Sequence, residues 1–141
     1  MKHKSEKKSV LFVCTFNSAH SQMAEGLLNS LYGNQYGAHS AGTEPTIVNL
    51  YAVEVMSEIG IDISKHRSKS VNEFREQNFD YVITVCDHAN ETCPIFPEGM
   101  KRLRQSFEDP ASFEGNKTDT LSEFRRIRDE IKDWISSRSA G

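Results

Sequence analysis

The stretch from Ser9 to Leu28, SVLFVCTFNSAHSQMAEGLL, decides the fold. After Ser9 it begins with a continuously apolar run rich in β-branched and aromatic residues, as expected of a strand buried on both faces. A polar loop from Cys14 to Ser21 follows, and apolar residues then recur at helical spacing as far as Leu31. Gly33 stands where such a helix would end. The stretch therefore predicts a strand, a loop and a helix, which is how a parallel α/β sheet begins.

Apolar patterns farther along the chain alternate between strand and helix spacing. They predict a short strand at Gly37–Ser40, a helix over Val48–Ile59 ended by Gly60, a brief helix with the capping box Ser70 and Glu73, a buried strand at Asp80–Val85, and a last amphipathic helix with the capping box Thr120 and Glu123. Strands that alternate with helices imply βαβ units with right-handed crossovers. Ligands of such folds bind at the carboxyl ends of the strands.

Length and composition limit the class of protein. The 141 residues suit one domain, and 37% hydrophobic with 26% charged residues argues against disordered and membrane-spanning proteins. A net charge of -3 leaves no basic stripe for nucleic acid. The apolar run after the basic start is too short for a signal peptide, so we expect a cytoplasmic protein with no membrane partner. We expect residues 1–8 to be a mobile tail and residues 9–141 to form the domain.

Three cysteines, at positions 14, 86 and 93, are an odd number in a chain expected in a reducing compartment, which disfavours structural disulfides. Cys14 lies between a strand and a helix, where backbone N–H groups and the helix dipole favour negative charge. That placement predicts a lowered thiol pKa and a cradle for an oxyanion. The alternative is that Cys14 is a small buried residue that ends a core strand.

The segment Cys14–Gly26, CTFNSAHSQMAEG, resembles the signature loop of the low-molecular-weight protein tyrosine phosphatases, and most closely that of their thioredoxin-coupled arsenate reductase branch. Further matches lie at Ser40-Ala41-Gly42, Asp62-Ile63-Ser64, Cys93-Pro94-Ile95, Asp109-Pro110 and the FRRIRDEIK helix. The resemblance runs from Ser9 to Trp134. It implies a single α/β domain whose four-stranded parallel sheet has helices on both faces.

The resemblance also implies a reaction, the reduction of arsenate to arsenite. Cys14 would be the nucleophile and Asp109 the general acid, while Cys86 and Cys93 would pass a disulfide on to thioredoxin. The oxyanion-binding loop, called the cradle loop below, would consist of Thr15, Phe16, Asn17, Ser18, Ala19, His20 and Ser21. On this interpretation phosphate competes with arsenate, no cofactor or metal is bound, thioredoxin supplies the electrons and the protein is a monomer.

Two other functions remain open. The same fold and loop serve phosphate monoesters, so the chain could be a phosphatase. It could also be a weakly active oxyanion or redox sensor. Without the resemblance, Asp109-Pro110 would be interpreted as a surface turn.

Cys86 and Cys93 form a C-x6-C arrangement that distinguishes the reductase branch from tyrosine phosphatases of this fold. In a helix, seven residues would separate their Cα atoms by about 10 Å. A disulfide requires about 4.4 to 6.8 Å, so we predict that residues 87–92 rearrange when it forms. A metal site or two inert thiols are the alternatives, although the spacing is unlike that of usual zinc ligands.

The chain departs from the family pattern C-x5-R at position 20, which is histidine. Arginine offers a permanent charge and a planar fork of donors, whereas histidine is only partly charged near neutral pH. We therefore expect weaker oxyanion affinity. His20 would be either a weakened, pH-gated anion ligand or a first-turn residue that points to solvent.

Glu25, Asn17 and Ser40 match residues that hold the loop in some relatives, partly through a potassium ion. At that ion site, Arg67 and Lys69 replace residues that are neutral or acidic in those relatives. A lysine ammonium could take the place of the cation. We therefore predict that the protein does not require potassium.

Overall fold

The computed structural model describes residues 7–86, 101–110 and 113–139. These contain the strands β1 (Lys8–Cys14), β2 (Tyr36–Gly42), β3 (Tyr81–Thr84) and β4 (Lys101–Arg104). The helices are α1 (His20–Tyr32), α2 (Leu50–Ser57), a 3-10 helix (Val71–Phe74) and α3 (Lys117–Ser139). All strand pairs are parallel, and the order across the sheet is β2-β1-β3-β4. The predicted α/β fold with a four-stranded parallel sheet is confirmed.

β1 is buried on both of its faces, as its apolar run predicts. Side chains alternate along a strand, so Phe12 belongs to the core cluster that contains residues of α1, α2 and α3, while Leu11 and Val13 face the opposite side. Burying a side chain such as Phe12 stabilises the fold by about 1.5 to 3 kcal/mol. Within the described residues, all three α-helices lie on one face, and the 3-10 helix with Phe79 covers the other.

Several boundaries differ from the sequence predictions, by one to three residues. Lys8, expected in the mobile tail, is the first residue of β1 and pairs with Tyr36. The last helix begins at Lys117, three residues before the predicted cap Thr120, because Asn116 Oδ1 accepts a hydrogen bond from the Asp119 N–H at 2.8 Å. The second helix is shorter than predicted.

β4 is a strand for which the sequence offered no pattern. Its residues KRLR are charged except for Leu103, the only one of the four that is half-buried, as suits the edge of a sheet. No helix in the described part of the chain is long and apolar enough to cross a membrane.

The sheet register brings two of the three cysteines to one edge. Val13 in β1 lies opposite Thr84 in β3, and the Val85 N–H donates to the Val13 carbonyl at 2.8 Å. Cys14 ends β1, and Cys86 follows β3 by two residues. The carboxyl ends of the two central strands therefore meet where ligands of such sheets bind.

Candidate active site

The Cys14 sulfur lies at the base of the cradle loop. The residue is only 1% exposed, the Asn17 N–H donates to its Sγ at 3.1 Å, and Ser21 Oγ lies 2.8 Å from the same atom. Ser21 Oγ itself accepts from Asn17 Nδ2 at 2.9 Å, which leaves its own proton for the sulfur. Both contacts stabilise negative charge on Sγ when the thiol ionises.

Residues 43–49 run beside the cradle loop and hydrogen-bond its outward carbonyl groups. N–H groups of this segment donate to the carbonyl oxygens of Cys14, Thr15, Phe16 and Ser18 at 2.7 to 3.1 Å. In a trans peptide the N–H points opposite to the C=O, so the following N–H groups point toward the Cys14 sulfur side. Among these groups, the Asn17 N–H donates a hydrogen bond to the Cys14 sulfur. The result is a concave set of backbone donors of the kind that binds anions.

Asn17 fixes the shape of the loop. It is fully buried and has a φ of 50°, in the left-handed region that asparagine tolerates better than most residues. Its Nδ2 donates to Ser21 and Ser40 Oγ, both at 2.9 Å, and its Oδ1 accepts from the Lys69 backbone N–H at 2.8 Å. Ser40 Oγ in turn donates to Glu25 Oε1. Ser40 thus links Glu25 to Asn17 in the loop.

Gln22 is a loop-supporting residue that the sequence analysis missed. Its buried Nε2 donates to the Asn17 Oδ1 and carbonyl oxygens and to the Arg67 carbonyl at 2.9 to 3.1 Å, while its Oε1 lies 2.9 Å from His66 Nδ1. A polar residue beside Met23 and Ala24 in a core helix was the available signal. Asn17, Ser21, Gln22 and Ser40 are called the loop network below.

A cavity of about 170 Å³ opens above the Cys14 sulfur. It is lined by the predicted catalytic residues Cys14, Cys86 and Asp109 and by the loop residues Thr15, Phe16, Ser18, Ala19 and His20. Cys86 is half-buried, and its Sγ lies 3.3 Å from Thr15 Oγ1. Asn17 and Ser21 do not line the cavity and instead hold the loop from behind. Cys93 and residues 87–92 lie outside the described residues.

The expected lowering of the Cys14 pKa is wrong for the unliganded site. Burial raises the pKa of the thiol to about 11, against the opposing hydrogen bonds from Ser21 and the Asn17 N–H. Cys86 and Asp109 raise it further by their negative charge. Removing the sulfur from water outweighs the donors of the loop, so Cys14 rests as a thiol at neutral pH.

His20 is buried, so its interpretation as a solvent-facing residue is wrong. It is 3% exposed and lines the cavity, and neither ring nitrogen has a hydrogen-bond partner among the described residues. Burial lowers the pKa of its imidazole, and Asp109 opposes that shift. Leaving a buried polar atom unpaired costs about 1 to 3 kcal/mol, so the ring is available to a partner that the described part of the chain does not itself provide.

The residues at the matched potassium position do not suit a potassium ion. Lys69 Nζ lies 3.9 Å from Glu25 Oε1 and donates to the Arg67 carbonyl at 2.9 Å, and both charged side chains are mostly buried. The ammonium group thus supplies the positive charge beside Glu25. Burial lowers the pKa of Lys69, and Glu25 opposes that shift.

Comparisons with known proteins agree with this geometry. The family model of the low molecular weight phosphotyrosine protein phosphatases matches residues 9–137. An arsenate reductase of Halalkalibacterium halodurans is 44% identical over 125 residues, 89% of this chain and 90% of the relative.

Two solved structures are similar as well. An arsenate reductase in the phosphate binding state has a TM-score of 0.77 at 31% identity and covers 94% of this chain and 97% of its own. A thioredoxin-dependent arsenate reductase of Corynebacterium glutamicum has a TM-score of 0.65 at 28% identity, covering 95% and 64%. With its cradle loop, its cavity and these relatives, the chain belongs to the low molecular weight phosphotyrosine protein phosphatase family, in its arsenate reductase branch.

Proposed function

We propose that this protein reduces arsenate to arsenite, with Cys14 as the nucleophile and a disulfide relay that thioredoxin regenerates. The observation that supports it most directly is that two thiols and one carboxyl group, those of Cys14, Cys86 and Asp109, line one small cavity at the cradle loop, whose Asn17 N–H donates to the Cys14 sulfur. A phosphatase needs only the first thiol and an acid. The second thiol in the same cavity favours a redox reaction.

The first step is a condensation between the Cys14 thiol and bound arsenate. Sγ attacks arsenic, one As–O bond breaks, and the thiol proton and the departing oxygen leave together as water. Cys14 rests protonated, so its proton must move as the S–As bond forms. Asp109, at the cavity wall, delivers a proton to the leaving oxygen and recovers one from the reaction.

The second step is the reduction itself. Cys86 attacks Cys14 Sγ, the S–S bond forms as the S–As bond breaks, and arsenic leaves as arsenite with the two electrons that the two sulfurs have lost. Cys93 then attacks Cys86, which returns Cys14 to the thiol and moves the disulfide to the Cys86–Cys93 pair. We predict that residues 87–92 rearrange when the Cys86–Cys93 disulfide forms.

Thioredoxin completes the cycle by reducing the Cys86–Cys93 disulfide. This part of the proposal is supported by the thioredoxin-dependent relative from Corynebacterium glutamicum. Reduction by thioredoxin also agrees with the expected reducing, cytoplasmic location of the protein. We propose in addition that the protein is a monomer that binds no other cofactor. Phosphate, which has the same shape and charge as arsenate, is expected to compete for the cavity.

The test is arsenate-dependent oxidation of reduced thioredoxin, followed with NADPH and thioredoxin reductase. Cys14→Ser and Cys86→Ser should each lower the rate by about a thousandfold or more, because each removes an atom that forms a covalent bond. A Cys93→Ser variant treated with arsenate should accumulate the Cys14–Cys86 disulfide, seen by mass spectrometry of the peptides.

The same variants separate the alternatives. Hydrolysis of a phosphate monoester that Cys86→Ser leaves at full rate, without thioredoxin oxidation by the unaltered protein, would make the protein a phosphatase. Binding of arsenate without turnover would make it a sensor. His20→Arg should lower the KM for arsenate about tenfold or more, since a guanidinium forms two charge-assisted hydrogen bonds. An unchanged KM would contradict this account of position 20.

A further inference from the structure

His20 presents a hydrogen-bonding group to the cavity that nothing in the described protein satisfies. It lies at the first position of α1 and is only 3% exposed. It lines the cavity together with Cys14 and Asp109. Both ring nitrogens lack a partner among the described residues. A buried ring of this kind awaits a ligand, since buried polar groups in proteins are nearly always paired.

The imidazole rests in its neutral form. Among the described residues, the titratable groups that line its cavity are the Cys14 thiol at the end of β1, Cys86 after β3 and Asp109 after β4. Burial lowers the pKa of His20 more than the charge of Asp109 raises it. A neutral imidazole has one N–H donor and one nitrogen acceptor, whereas arginine at this position would have donors only.

The acceptor nitrogen changes which anions fit the cavity. The backbone N–H groups of the cradle loop serve the bare oxygens of any tetrahedral anion. A ring nitrogen that accepts a hydrogen bond needs a hydroxyl hydrogen of the ligand as its donor. Asp109, which lines the same cavity, is a second acceptor when ionised. Arsenate and phosphate carry at least one hydroxyl group at neutral pH, and sulfate carries none.

We propose that His20 is a specificity-determining residue that selects tetrahedral oxyanions bearing a hydroxyl group, so that the site binds arsenate and phosphate and excludes sulfate. The inference rests on the proposed function only in that the cavity must bind a tetrahedral oxyanion. Sulfate leaves the buried ring acceptor unpaired, which costs more than the loss of one contact in water. Sulfate enters only when the ring gains a proton and becomes a donor at both nitrogens.

The test is isothermal titration of the fully reduced protein with inorganic phosphate and with sulfate at about pH 7.5, where a neutral imidazole predominates. Phosphate should bind about tenfold to a hundredfold more tightly than sulfate, which is the effect of one hydrogen bond to a charged group. Sulfate binding should strengthen as the pH falls and should take up a proton, seen as a dependence of the heat on the buffer. His20→Arg should bind both anions and lose most of the preference.

His20→Gln, which keeps a donor and an acceptor, should retain the preference for phosphate. The matched control is His39→Arg, at an exposed histidine of β2 outside the cavity, which should leave the ratio of affinities unchanged. Equal affinity for phosphate and sulfate in the unaltered protein, or an unchanged ratio in His20→Arg, overturns the inference. If arsenate is still reduced in that case, the proposed function stands. If neither anion binds and arsenate is not reduced, both fail.

Discussion

Two sides of the cradle loop are built in opposite ways. Behind the loop, the loop network joins Asn17 to neighbouring side chains and to the Lys69 backbone through short hydrogen bonds. In front, facing the cavity, His20 is as deeply buried but has no partner among the described residues. The comparison teaches that the shape of the site and its hydrogen bonding to a ligand come from different residues. The residues behind the loop hydrogen-bond one another, while the ring nitrogens of His20 on the cavity side find no partner among the described residues.

The largest effect is expected where the network is broken. Asn17→Ala removes hydrogen bonds to Ser21, Ser40, Gln22 and the Lys69 N–H and leaves an alanine at a φ of 50°. The free energy of unfolding, measured with urea, should fall by about 3 kcal/mol or more, because several buried polar atoms lose their partners together.

The control for that variant is Asn72→Ala, at an exposed asparagine of the 3-10 helix. It should change the free energy of unfolding by about 0.5 kcal/mol or less. Equal losses in the two variants would mean that the loop network contributes nothing special to stability.

A smaller effect is expected from the Cys14 thiol, which lies between the two sides. The folded protein raises its pKa from 9.0 to about 11, so it holds the thiol proton more tightly than the unfolded chain does. The resulting stability is complete below pH 9 and is lost as the pH rises through 11, about 2 to 3 kcal/mol in all. The difference between the unaltered protein and Cys14→Ser isolates this loss from the titration of lysines and tyrosines. A difference that does not change with pH over this range would contradict the raised pKa.

The smallest effect is expected at the edge of the network, where Lys69 lies beside Glu25. Replacing sodium by potassium should leave both stability and the KM for arsenate of the unaltered protein unchanged, because the ammonium already neutralises Glu25. Lys69→Gln should lower the free energy of unfolding by only about 1 kcal/mol, because the two charges are 3.9 Å apart and glutamine keeps a donor for the Arg67 carbonyl, and Lys65→Gln at an exposed lysine by less. Tighter arsenate use on adding potassium would show that the cation site remains.

The sequence predicts the elements that form the core because their apolar spacing is unambiguous. β1 and α1 lie within one or two residues of their predicted positions, and Cys14 and Cys86 end up at the predicted edge. β4 was not predicted because an edge strand needs little apolar surface. The start of α3 was misplaced because its first turn is exposed and carries no apolar periodicity.

Two properties of the site depend on distant residues and could not be predicted locally. The pKa of Cys14 follows from how completely the folded chain excludes water, and a loop at a helix terminus by itself suggests the opposite shift. His20 shares its cavity with Asp109 and Cys86, which come from segments about 60 or more residues away in the chain, so its surroundings are not visible in the local sequence.

The hydrogen bonds from segment 43–49 to the carbonyl groups of the cradle loop allow the side chains of the loop to change during evolution. These contacts are made between main-chain atoms, so they are indifferent to which side chains the loop carries. Gly42, just before the segment, is the exception, since a methyl group there would come within 2.6 Å of the Thr15 carbonyl oxygen. A substitution at position 20 is therefore expected to leave the backbone of the loop in place, whereas a side chain at Gly42 would collide with it.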